Sequence, residues 1–117
     1  LIHPVNVNKE QDRTFAQAIQ DKLLAALHEI DPITQNLPHY DRKVKEQKLG
    51  VLNDVALGNT VSSHPCRACL VEIEFMDVPA VEQLFRLDAP RTATAEHTAR
   101  NRQKVADALA DALLIQV

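Results

Sequence analysis

The residues best suited to chemistry fall in one short run, Cys66 Arg67 Ala68 Cys69 Leu70 Val71 Glu72 Ile73 Glu74 Phe75. Read as a strand, it places Cys69, Val71, Ile73 and Phe75 on one face and Ala68, Leu70, Glu72 and Glu74 on the other. A carboxylate at the end of a buried strand is stripped of water, which suits it to take up a proton and return it. Glu72 is therefore the candidate catalytic residue. Glu74, about 7 Å along the same face at a rise of about 3.3 Å per residue, is close enough to modulate it. The same two carboxylates also suit the polar face of a half-exposed strand.

Cys66 and Cys69 form a C-x-x-C that has the look of a redox or metal motif. Redox pairs of this kind open a helix and zinc sites need a second pair of ligands, whereas this one leads into a strand-like run. Small packing residues are the expected reading. His28, His39, His64 and His97 stand apart from one another in sequence, and packing or surface roles are expected for them. A metal shared by His64 and Cys66 would require the strand to begin early. Arg42 and Lys45 are candidates for contacting an acidic peptide, or else belong to a solvated loop.

These residues need elements to hold them. From about Asn8 to Ile30, the apolar side chains Phe15, Ile19, Leu23, Leu27 and Ile30 recur at helical spacing, with Asn8 and Gln11 as a capping box and Asp31 and Pro32 as the stop. Leu1 to Val5 reads like the end of a strand. Residues 31–48 read as loop, Leu49 to Leu52 as a strand, and 58–65 as a second irregular stretch. Asp77 and Pro79 open a helix through Val81, Leu84 and Phe85, and a last helix runs from about Thr94 to Leu114. The central run is apolar on both faces over its first half, the mark of a strand inside a sheet covered by helices on both sides. The fold expected is α/β, a layered sheet with helices on both faces, in a single domain over 1–117.

Composition narrows the functions. The chain has 117 residues and 13.1 kDa, 45% hydrophobic and 25% charged, so one core is affordable and disorder is not expected. Thirteen basic against sixteen acidic residues give a net charge of −3, with the basic residues scattered, which argues against nucleic acid as the main partner. No apolar run is long enough to span a bilayer. Gly50 and Gly58, the two glycines, belong to no phosphate-cradling loop.

Several segments together resemble a known family. The run Cys69 Leu70 Val71 Glu72 Ile73 Glu74 Phe75, followed by Pro79 and an acidic helix, resembles the "LVE-x-GF-x-x-NP" signature of zinc-dependent N-acetylmuramoyl-L-alanine amidases. Asp41 Arg42 Lys43 Val44 Lys45 and Leu49 Gly50 Val51 Leu52 are similar to its "RG-x-K" and "VLR" segments. Thr14 Phe15 Ala16 Gln17 Ala18 Ile19 is similar to its "S-x-x-LA-x-x-I" helix, and the final helix to its closing "A-x-A-x-x-x-AL". The resemblance implies a cell-wall hydrolase that cuts the amide between muramic acid and the first alanine of the peptide stem, with peptidoglycan or muropeptide as partner. It implies zinc as cofactor, a bacterial cell-envelope location, periplasmic or secreted, and a proton-handling role for Glu72.

Two departures accompany it. The family's zinc-ligand motifs, "GHGG" and "S-x-HAN", are absent, so no metal ligand is expected in this span; His3 in Leu1 Ile2 His3 Pro4 Val5 Asn6 is at most a degenerate form of the second. Glu74 stands where the family has glycine. The expectation is the carboxyl-terminal portion of an amidase-type domain, incomplete on its N-terminal side, inactive alone and prone to self-association through open sheet edges. The alternatives are a non-catalytic binding or regulatory module and a zinc exopeptidase of related fold.

Overall fold

The structure is a computed structural model that describes residues 1–37, 41–73, 79–89 and 100–115. It corrects the expected architecture: among the described residues helix makes up 54% and strand 2%, with no sheet, so an α/β layered arrangement is not supported. The elements in chain order are α1 (Lys9–Ile30), 3-10 turns at Pro32–Asn36 and Gly50–Leu52, α2 (Pro79–Val81) continuing as a π-helical turn (Glu82–Arg86), and α3 (Asn101–Leu114). The chain divides into two compact units, one of 1–20 with 42–72 and the other of 21–41 with 73–117.

Helix α1 forms as its spacing predicts. Ala16, Ile19, Leu23, Ala26, Leu27 and Ile30 are buried along one stripe, and Glu10 and Asp12 in the first turn complement the helix dipole. The Asn8 side chain, expected to cap the helix, instead donates to the Pro65 and Cys66 carbonyls at 2.7 and 3.3 Å. Asp31 closes the helix with a backbone bond to Leu27. Pro32 then fixes a 3-10 turn in which the Thr34 hydroxyl donates to the Asp31 carbonyl and pairs with His28 Nδ1 at 2.7 Å.

In the first unit the strand-like segments are present only as fragments. Leu1 and Leu70 exchange both backbone hydrogen bonds, at 2.7 and 2.9 Å, an antiparallel pair. Ile2 bridges Glu46 in parallel, through Lys45 O and the Gln47 N–H. Pro4 lacks an N–H and the chain turns there, so neither pairing grows into a ladder. The predicted strand Leu49–Leu52 is instead a 3-10 turn, in which the Leu52 N–H donates to the Leu49 carbonyl at 3.0 Å; beyond it Asn53 Oδ1 accepts the Ala56 N–H. Ile2 and Leu52 are buried.

The second unit buries Leu23, Ala26, Leu27 and Ile30 of α1, Val81 and Leu84, and Val105, Ala108 and Ala112 of α3. Helix α3 begins at Asn101, with residues 94–99 of the predicted helix outside the described residues. Arg100 at its N-cap makes no side-chain cap bond; Asp88 serves instead, Oδ1 accepting the Asn101 and Arg102 N–H groups at 2.7 and 3.3 Å. Asn101 itself is buried, and its Nδ2 donates to the Leu84 and Ala89 carbonyls. Lys104 and Glu29 tie α3 to α1 at 2.7 Å.

Candidate functional site

Glu72 follows a segment that is held by side chains rather than by a sheet. The first anchor is Asp12, fully buried one turn into α1, whose Oδ1 accepts the Ala68 N–H at 2.8 Å. Its other oxygen lies 3.4 Å from Asn6 Nδ2, which donates to the Leu52 carbonyl at 2.6 Å. A buried carboxylate that accepts a backbone N–H acts as a strand partner with one tooth. Asp12 lies four residues before Ala16 and seven before Ile19, so it sits on the buried stripe of α1.

The second anchor is Asn59. Its amide clasps the Cys66 backbone from both sides, Oδ1 accepting the N–H at 2.8 Å and Nδ2 donating to the carbonyl at 3.1 Å. Nδ2 also reaches Asp54 Oδ1 at 3.1 Å, and Asp54 Oδ2 accepts the Val7 N–H at 2.7 Å. Asn8 holds the Pro65 carbonyl, the Leu1 pairing holds Leu70, and the Arg67 guanidinium sits 6.0 Å from the Phe15 ring centroid. Four independent contacts thus fix the backbone from Pro65 to Leu70, two residues short of Glu72.

The side chain of Glu72 is exposed, and among the described residues no hydrogen bond or ion pair engages it. This corrects the expectation that a sheet interior strips it of water: Leu70 and Ile73, 38% and 37% exposed, flank it on a solvated stretch. Without strands on both sides there is nothing to bury a carboxylate there. Glu74 lies outside the described residues, as do His39 and His97. Arg42 and Lys45 are both exposed, and no hydrogen bond or ion pair joins Lys45 to Glu72. Lys45 enters the fold through its carbonyl, which accepts the Ile2 N–H at 2.9 Å.

The C-x-x-C forms no disulfide. Burial pushes the Cys69 thiol up from its ordinary range, and the negative charge of Asp12 acts in the same direction, so it is poorly prepared as a thiolate ligand or nucleophile. His64 is exposed, with its ring against the Ser63 hydroxyl. His3 is buried with its Nδ1 unpartnered. Among the described residues, no three His, Cys, Asp or Glu side chains gather as metal ligands, so the described residues alone do not fit a zinc site.

Sequence reasoning passed over Asp12, Asn6 and Asn59. Asp12 carried a signal, its place on the apolar stripe of α1; Asn59, in a run of turn formers, carried none. Comparison with protein-family models, with curated proteins and with solved structures gives no match.

Proposed function

We propose that this chain carries the proton-handling carboxylate of a peptidoglycan amidase, a hydrolase of the N-acetylmuramoyl-L-alanine bond. The observation that supports this is Glu72, solvent-accessible and without a partner among the described residues, at the end of a segment pinned at Pro65, Cys66, Ala68 and Leu70. A base must be held in place and yet have free lone pairs for an attacking water. Glu72 meets both needs. The similarity of its surrounding run to the amidase signature supplies the substrate class.

In this reading Glu72 accepts a proton from the water that attacks the amide carbonyl and returns it to the departing alanine nitrogen. Zinc and its ligands come from sequence other than these 117 residues, and the isolated chain is inactive. The anchors act by position: Asp12 and Asn59 meet the segment through its backbone, at Ala68 and Cys66, and their part is to fix where the carboxylate projects.

A second reading has its own support. The exposure of Glu72 and the lack of a metal-ligand group among the described residues also suit a non-catalytic module that binds cell-wall material. Digestion of purified peptidoglycan by the full-length protein separates the two. Release of free alanine amino groups from the glycan, with stoichiometric zinc in the protein, supports the amidase. Retention on peptidoglycan without release supports the module. Zinc with trimming of free peptides alone favours an exopeptidase.

A further inference from the structure

From Ala68 to Val71 the backbone is engaged at alternate residues among those described. Leu70 directs its N–H and carbonyl to Leu1, and Ala68 directs its N–H to Asp12. Along an extended chain successive residues aim these groups to opposite sides, so Cys69 and Val71 aim theirs the other way. Among the described residues no hydrogen bond engages the backbone of either. The edge carries few of the usual guards: Cys69 Leu70 Val71 Glu72 Ile73 contains no proline and no lysine, Glu72 is its one charge, and Leu70 is 38% exposed.

The geometry points to a second copy of this chain as the occupant of that edge, paired antiparallel about Val71. A second copy fits because the sequence is complementary to itself in that register. Val71 faces Val71, and Leu70 faces Glu72 on each side of the two-fold axis, so the aliphatic stem of Glu72 covers the leucine. The two Glu72 carboxylates become diagonal neighbours about 7 Å apart. A parallel in-register pairing would stack them about 4.8 Å apart, as directly opposed like charges. The antiparallel pair is isologous and closes as a dimer, and this assembly does not depend on hydrolytic activity.

The test is register-specific crosslinking of the chain with Cys66 and Cys69 replaced by serine. Val71→Cys is expected to give a disulfide-linked dimer under mild oxidation, Leu70→Cys alone to give little, and Leu70→Cys with Glu72→Cys to restore it. In parallel, sedimentation of the unmodified chain is expected to shift toward a dimer with concentration, and Val71→Lys, which removes no intramolecular bond and opposes two lysines, to stay monomeric. Equal crosslinking by Val71→Cys and Leu70→Cys, or an unmodified chain that is monomeric at every concentration, overturns the pairing.

Discussion

Asp12 Oδ1 lies 2.8 Å from the Ala68 nitrogen, and this buried carboxylate-to-backbone bond joins residues 56 apart in sequence. It performs for the segment before Glu72 what a neighbouring strand performs in a sheet. Removing the carboxylate leaves the Ala68 N–H without its acceptor and takes one from the Asn6 amide. Asp12→Ala is expected to destabilise the fold by about 1–3 kcal/mol, the cost of leaving such groups unsatisfied. Urea denaturation measures this; an unchanged midpoint would remove Asp12 from the account.

Asp88 caps α3 from a loop, with Oδ1 shared between the Asn101 and Arg102 N–H groups. Asp88→Ala is expected to cost about 1 kcal/mol and Asp88→Asn much less, because the amide oxygen still accepts. Thermal melting of the two variants checks the order. Equal losses would contradict the cap.

The two thiols are expected to differ in reactivity. Burial raises the Cys69 thiol, while Cys66 is exposed. At mildly alkaline pH, alkylation timed by mass spectrometry should modify Cys66 first, and Cys69 should lag severalfold. Because the folded chain favours the protonated Cys69, its contribution to stability is present below the ordinary thiol range and is lost as pH rises through the elevated value. Cys69→Ala should flatten that alkaline decline.

On the acid side the group to watch is Glu46, lowered chiefly by its hydrogen bond from Lys9, with Arg13 adding charge attraction. A depressed carboxylate stabilises above its unfolded value and ceases to do so as pH falls through its folded value. Any advantage of the native chain over Glu46→Gln should therefore hold near neutral pH and vanish on acidification. Stability curves that diverge further in acid would contradict this sign.

The sequence made α1 legible because Ile19, Leu23, Leu27 and Ile30 repeat at helical spacing whatever surrounds them. It also marked 67–75 as a strand, which the described residues 67–73 do not form. What it did not disclose is that an extended run needs neighbours: Leu1–His3 and Lys45–Gln47 each supply one residue pair before Pro4 and the Leu49 turn end them. An apolar run on both faces therefore suggested a sheet interior that these segments cannot build. Glu72 was legible as a candidate by chemistry, but its surroundings depend on Asp12 and Asn59, whose bonds to Ala68 and Cys66 are long-range or lie within a stretch of turn formers.

In the proposed function Glu72 is the group that moves the proton. Its most direct test is peptidoglycan turnover by the full-length protein bearing Glu72→Gln, with zinc content and melting temperature measured on the same preparation. The expected result is a loss of about 100-fold or more in turnover, with metal content and melting unchanged. Turnover equal to that of the native protein would contradict it.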